Sequence, residues 1–444
     1  MRWRQPADRM VVHAIMQVFR SDADRSRLQL STISPHAWHK SAYWLQASGC
    51  AFYFLDRIAG LDIADAIPRE LLRRLSIDSR KNRVRTEAMF REFQLLNAAF
   101  QRARILYANY KGFTLCPHSC RSLELRHQMD FDFIVSREHL PRARQCLERR
   151  GYVLTAATPK TWEFKAGNYV RSNWDSYSMG QYRAVELHFG IAPDQTGTDT
   201  RLQRIAPWCW AGAEFPALAP ADQLIAQALH LFKHLRSENT RPAWVLEFRE
   251  HVLSRRDDAA FWTDVRELTS TAGADAQLAI GVSILITSQL FGRFAPPEVH
   301  EWAVAAVPPT IGLWAHEYGT DAVLADFPGT KLFLLLEKEL EQLSSRRQSV
   351  IRKRLLPCRP APRIFTPRPY ETPTERLHRY AMQLRFTLFR ARFHLVEAAR
   401  YLCKLPRWRR RVAELAFSAA TAANRGREMT TRKQLNDNLR PGSL

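Results

Sequence analysis

The sequence predicts an α+β protein: a small mixed-sheet core embedded between an N-terminal helical region and a C-terminal helical domain. Three observations carry that expectation. Long stretches on both sides of the centre space their apolar residues three and four apart, with charges between them. A central stretch from about residue 105 to 191 carries short alternating or apolar runs instead: "MDFDFIV", "YVLTA", "TWEFKAG" and "YRAVELHFGI". One amphipathic helix, "EHLPRARQCLERRG", lies between the first two, and strand–helix–strand followed by more strands marks a mixed sheet.

The elements follow in order. "IPRELLRRLSI" and "RTEAMFREFQLLNAAFQRARILYAN" predict helices; the second contains no Gly or Pro and is read as running to a break at Gly112. The central helix has Pro141 in its first turn and Gly151 past its end. After Pro193 the helical pattern returns, from "ADQLIAQALHLFKHLR" through "GTKLFLLLEKELEQLSSRRQSVIRKRL". "PCRPAPRIFTPRPYETP" reads as an extended linker, and a last basic amphipathic stretch follows it. The expected division is a helical region over 1–94, the α/β core over 95–200, a helical domain over 201–356, the linker over 357–373 and a basic helical tail over 374–444.

Charge is spread unevenly along the 444 residues. From Lys331 onward 26 Lys and Arg stand against 9 Asp and Glu, whereas the first 330 residues hold 40 against 35. A basic tail of this kind suits an anionic membrane surface or nucleic acid. Its apolar residues, Leu377, Met382, Leu384, Phe386, Leu388, Phe389, Phe393 and Leu395, are too many for a purely polar arm, so they either meet a partner or interface or cap the helical domain. The most apolar run, "AIGVSILITSQLFG", is too short and too polar to span a bilayer. "MRWRQPADRM" is not followed by an apolar signal region, and seven scattered cysteines fit a reducing compartment. The cytoplasm is the expected location, with the tail at the inner face of the membrane as a peripheral option.

The chemistry gathers in "RHQMDFDFIV". Met129, Phe131, Phe133 and Val135 alternate toward a core, which leaves Asp130 and Asp132 together on the other face of the strand. Two like charges so placed call for a cation, and Mg²⁺ (or Mn²⁺) prefers oxygen ligands of this type. In "RAVELHFGI" the buried alternation of Val185, Leu187 and Phe189 leaves Glu186 and His188 on the opposite face. Glu186 is the natural third carboxylate, and the three are expected to converge in one cleft; His188 is read as a structural hydrogen bonder. Lys111 and Gly112 offer a cation and an approachable backbone for phosphates, and Arg126 offers a guanidinium for bidentate contact. "CPHSC" with His127 lacks zinc-site spacing, and His230 with His234 lacks the glutamate of a zincin helix.

This ordered set resembles a bacterial family of uncharacterised nucleotidyltransferases within the polymerase-β-like superfamily. The matching residues are Lys111-Gly112, Arg126, Asp130 through Val135, Leu147, Gly151-Tyr152 and Val185-Glu186-Leu187-His188. His230, His234 and Glu247 correspond to a helical segment that follows in the family. The resemblance implies that Asp130, Asp132 and Glu186 hold the metal and that Gly112 lies at the triphosphate. It also implies transfer of a nucleoside monophosphate from an NTP to an acceptor, a small molecule or a protein. Phe113 stands where the family has Gly or Ser, leaving Thr114 as the nearest hydroxyl, and Met129 replaces a small residue. Those two departures favour the rival reading, a fold retained for binding or scaffolding with little catalysis.

Overall fold

The computed structural model describes residues 7–20, 22–166, 184–190, 199–343, 350–357 and 370–438. Its architecture is the expected mixture, a seven-stranded mixed sheet set among helices. Four helices open it: α1 (Arg9–Val18), α2 (Ala23–Ser31), α3 (Pro35–Ala47) and α4 (Ala51–Gly60). Asp8, Asp22 and Ser34 start the first three, each side chain accepting a first-turn backbone N–H that the helix cannot satisfy. The next helix, α5 (Arg69–Arg102), runs 34 residues and fuses the two stretches read separately from sequence. It stops at Arg102 and not at Gly112, because Arg104 adopts a φ of 51° and turns the chain into β1 (Tyr107–Asn109).

The sheet continues with β2 (Asp130–Val135), then α6 (Leu140–Glu148), β3 (Tyr152–Ala157), β4 (Thr161–Ala166) and β5 (Ala184–His188). Two further strands, β6 (Ile205–Trp210) and β7 (Ala213–Leu218), occupy a stretch where helices were expected to resume. Their turn is Ala211-Gly212, with φ of 51° and 77°. Two successive left-handed residues make the tight hairpin that matches strand twist. An Ala-Gly pair is a weaker sequence signal for that turn than Asn-Gly. The strand order is β3-β4-β5-β2-β1-β7-β6, so β6 is an edge, where Pro207 removes no needed ladder donor.

The centre of the sheet is the parallel pair β2 and β5, in register Asp130 to Ala184, Asp132 to Glu186 and Ile134 to His188. Alternation then sorts the side chains by face. Phe131, Phe133, Val135, Val185 and Leu187 are buried on one face, against α5. Phe93 of α5 lies 6.2 Å from Phe131 and 6.3 Å from Phe133, and Phe100 lies 5.1 Å from Phe133. Each such buried aromatic contributes about 1.5–3 kcal/mol relative to exposure. The opposite face carries the carboxylates.

Four helices follow, α7 (Pro220–Leu235), α8 (Pro242–Ser254), α9 (Ala259–Ala272) and α10 (Ala274–Phe291). One hydrophobic cluster joins residues from Val11 to Trp408, so the flanking helices and the sheet share a core. The predicted linker falls mostly outside the described residues. The C-terminal helix, Pro373–Asn438, is docked and not a free tail. Trp408 is fully buried and its Nε1 donates to Glu339 over 3.0 Å. Arg400 pairs with Asp321 at 3.1 Å, and Arg411 with Glu317 at 2.9 Å. Met382 and Phe393 lie on the docked face, while Leu377, Leu384, Leu388 and Leu395 stay exposed on the other. Among the described residues no helix is long and apolar enough to cross a membrane.

Candidate active site

The polar face of β2 and β5 floors a cavity of about 790 Å³, within the size range of ligand sites. Asp130, Asp132, Glu186 and His188 all line it. The tightest group is Asp132, Glu186 and His188, whose donor atoms lie within 4.8 Å of one another. His188 Nε2 stands 2.8 Å from Asp132 Oδ1 and 3.3 Å from Glu186 Oε2. Its Nδ1 is 3.3 Å from the hydroxyl of Thr161 on β4, and its ring meets Tyr110 edge-on at 5.3 Å. Asp130, two residues back on the same strand face, lines the cavity without joining that cluster. His188, read from sequence as structural, therefore sits among the candidate ligands. The alternation in "VELH" had already placed it on that face.

The electrostatics separate the two aspartates. Burial pushes the Asp130 carboxyl up, Asp132 and Glu186 add to the shift, and it reaches about 7. Burial acts on Asp132 too, but the Lys111 charge and the His188 hydrogen bond prevail and hold it well below the usual carboxylate range. Lys111 Nζ is 3.8 Å from Asp132 Oδ1 and 4.3 Å from the centre of the Tyr110 ring. Although burial opposes its charge, Asp132, Tyr110, Asp130 and Glu186 raise its pKa, so it stays cationic. His188 is likewise disfavoured as a cation by burial, yet its bonds to Asp132 and Glu186 leave its pKa raised. A carboxylate that cannot readily ionise beside two that are already neutralised marks a site short of positive charge.

Lys111 and Gly112 occupy a strained turn, both with left-handed φ, 59° and 57°. A Cβ on Gly112 would stand 2.6 Å from Gln128 Nε2, so the close approach there is to a side chain of this protein. Gly112 is not among the cavity-lining residues. Thr114, expected at the nucleotide, is buried, and its hydroxyl donates to the Lys111 carbonyl over 2.8 Å, closing the turn. Arg126 lines the cavity, but its Nε donates to Glu247 over 3.1 Å and its Nη1 to Gln128. Gln128 donates in turn to the Asp130 carbonyl. Tyr53 donates to the same Glu247 carboxylate over 2.8 Å. Arg126 thus braces the strand carrying the aspartates; in the sequence its partner, Glu247 on α8, stood out only through the family resemblance.

Beyond the carboxylates the cavity wall is aromatic. His230 and His234 of α7 sit 4.9 Å and 4.1 Å from the Trp244 ring. Burial first, then neighbouring cations, lowers both imidazoles, His234 to about 4, so both are neutral. "CPHSC" holds no metal cluster among the described residues: Cys116 Sγ faces the Cys120 carbonyl, and His118 bonds Ser254 and Arg255. Trp208 and Trp210 stack on each other, and Trp208 packs against Phe215 in the core.

Two solved structures are similar to parts of the chain. A lincosamide antibiotic adenylyltransferase in its lincomycin-bound form is 15% identical with a TM-score of 0.23; the match covers 31% of this chain and 83% of that one. An antigenic nucleotidyltransferase-like protein from Paracoccidioides brasiliensis is 13% identical with a TM-score of 0.26, over 50% of this chain and 96% of that one. No curated protein matches. A family profile does, over residues 34–292, which include every site residue described so far, and the chain accordingly belongs to the uncharacterised nucleotidyltransferase family.

Proposed function

We propose that the protein transfers a nucleoside monophosphate from an NTP to an acceptor hydroxyl or phosphate. The observation that carries the reading is the parallel register of β2 and β5. It sets Asp132 opposite Glu186, with Asp130 on the same face and Lys111 beside Asp132, on the floor of one large cavity. The donor set is three carboxylates and one imidazole, which fits Mg²⁺ or Mn²⁺. Asp130, Asp132 and Glu186 would hold the ion, and His188 orients Asp132 and Glu186 around it. When bound, such an ion neutralises the triphosphate and stabilises charge developing in an in-line displacement.

The chain's own residues supply the rest. The acceptor oxygen attacks the α-phosphorus, the bond from that phosphorus to the β-bridging oxygen breaks, and pyrophosphate leaves. Glu186, the most exposed of the carboxylates in the tight cluster, takes the acceptor proton. Lys111 contributes a fixed positive charge toward the phosphates. Arg126, tied to Glu247 and Gln128, keeps β2 in place at the cavity edge.

Transfer of label from an α-labelled NTP tests the reading, in Mg²⁺ or Mn²⁺, with wild type and Asp132→Asn. Loss of an outer-shell residue commonly costs about 10–100-fold, so loss of a direct ligand should exceed about 100-fold. Equal transfer by the variant would remove the assigned role.

A peripheral attachment is supported by a separate observation. Leu377, Leu384, Leu388 and Leu395 form an exposed apolar stripe on the C-terminal helix, interleaved with Arg376, Arg385 and Arg392. Such a face lies in the interface of an anionic bilayer, each cation near the surface adding about 1 kcal/mol.

A further inference from the structure

The C-terminal helix enters the same cavity. Arg390 lines it, although it lies far outside the family's matched span of 34–292. Its Nη2 donates to Glu238 Oε2 over 2.8 Å and lies 3.1 Å from His394 Nε2, and its guanidinium stacks on Phe393 at 5.1 Å. Glu238, in the turn joining α7 to α8, is also bound by Lys331, whose Nζ is 3.3 Å from Oε1 and whose side chain is fully buried. One carboxylate therefore has two strong cationic partners. The lysine is buried, and its Nζ also donates to the Arg354 carbonyl; the arginine faces a cavity.

This corner is rigid. Gly329 has a φ of 107°, and a Cβ there would fall 1.5 Å from the Glu238 carbonyl oxygen, so only glycine allows the approach. Thr330 N–H donates to that carbonyl over 2.8 Å. Glu397, about two turns past Arg390 on the same helix, accepts from Thr330 Oγ1 at 2.7 Å and Lys331 N–H at 3.0 Å. Arg390 is held at the rim by its own helix.

Two more cations line the cavity, Lys233 on α7 and Arg241 at the start of α8, the latter over the Trp244 ring at 5.6 Å. Lys111 stands beside Asp132, whereas Arg390 is paired with Glu238. The cavity thus holds two sets of cations: Lys111 and Arg126 from the stretch that carries the carboxylates, and a second zone of Lys233, Arg241 and Arg390 from α7, the start of α8 and the C-terminal helix.

Resting on the transfer reading above, we propose that this second zone is the acceptor subsite and that it selects an anionic acceptor. A phosphate or carboxylate group would be received by Arg390 with Lys233 and Arg241. Arg390 exchanges the Glu238 carboxylate for the incoming anion, and Glu238 stays neutralised by Lys331. A guanidinium can meet such an anion bidentately, which an ammonium cannot.

Calorimetry with inorganic phosphate tests the subsite, on the nucleotide-free protein and on protein saturated with Mn²⁺ and a non-hydrolysable ATP analogue. Wild type should bind phosphate saturably in both states. Arg390→Ala should weaken phosphate by at least about tenfold, Arg390→Lys by less, and neither should change nucleotide affinity. Should Arg390→Ala not fold, Arg390→Gln, which keeps the stem over Phe393, replaces it. The proposal is overturned by non-saturable phosphate binding in wild type, by unchanged binding in the variant, or by an equal loss of nucleotide affinity. A wild type that takes no nucleotide would sink the transfer reading alone, since the nucleotide-free phosphate titration still decides the role of Arg390.

Discussion

His188 Nε2 stands 2.8 Å from Asp132 Oδ1 and 3.3 Å from Glu186 Oε2, so one imidazole links carboxylates from two strands. With Lys111 on the same aspartate, it supplies positive charge to the pair proposed above as metal ligands. Asp130 receives no comparable help, and the two aspartates of "DFD" consequently respond to pH and mutation in opposite ways.

Asp132 has a pKa lowered from its unfolded value, so it stabilises the fold above the ordinary aspartate range and loses that contribution as pH falls. Asp132→Asn should lower the melting temperature at pH 7, and by progressively less as pH falls below about 4 toward the lowered folded pKa. Asp130 is raised to about 7, so its folded form favours the proton. Its contribution is fully present below about pH 4 and is lost as pH rises through about 7. Asp130→Asn should therefore raise the melting temperature at pH 8 relative to wild type and leave it nearly unchanged at pH 4. Melting curves of both variants at these pH values decide the matter; the same sign for both at pH 8 would contradict the separation.

Metal affinity should carry the same signature. Binding must displace the Asp130 proton, so Mn²⁺ affinity measured by calorimetry should rise between pH 6 and pH 8, with proton release on binding. In Asp130→Asn that pH dependence should flatten. An unaltered slope would place the titrating group elsewhere.

Glu247 is buried and shared by Arg126 and Tyr53. Removing one member of a buried ion pair leaves its partner uncompensated, at a cost of about 3–5 kcal/mol. Glu247→Gln should show that loss in urea unfolding. Because Arg126 braces β2 through Gln128, it should also weaken Mn²⁺ binding. A variant with wild-type midpoint and affinity would make the network ornamental.

Trp408→Ala removes the fully buried anchor of the C-terminal helix and its bond to Glu339. The expected destabilisation is about 3–5 kcal/mol. Limited proteolysis should then cut within the helix before the sheet core. Equal resistance would mean that the remaining ion pairs hold the helix alone.

Leu384→Glu with Leu388→Glu places charge on the exposed stripe without touching the docked face. Wild type should pellet with anionic vesicles at low ionic strength and be released by salt, and the double variant should stay in solution. Co-pelleting of both would assign the stripe no membrane role.

The buried and polar faces of "DFDFIV" and "VELH" were legible in the sequence because a two-residue period and apolar-in, polar-out alternation fix each strand's faces without knowledge of the fold; their pairing came with the fold. The same logic made α5 visible, since charges and apolar residues at helical spacing need no partner to declare a helix. Its true end was not legible: Arg104 turns the chain by adopting a left-handed φ, and "ILYAN" reads equally well as helix or strand until β2 and β7 pair with it. The β6–β7 hairpin escaped for a related reason, its turn being Ala-Gly.

Site residues divided along the same line. Local alternation places Asp130, Asp132 and Glu186 on the polar faces of their strands, whereas Lys111 stands out in the sequence only as the cation beside Gly112. Tertiary structure alone decided that Thr114 closes a turn, that Arg126 is held by Glu247, and that Arg390 joins a cavity whose floor lies some 260 residues earlier in the chain. Local sequence fixes which face a side chain occupies. Which charges neutralise one another, and which remain for a ligand, depends on distances between segments that only the folded core sets.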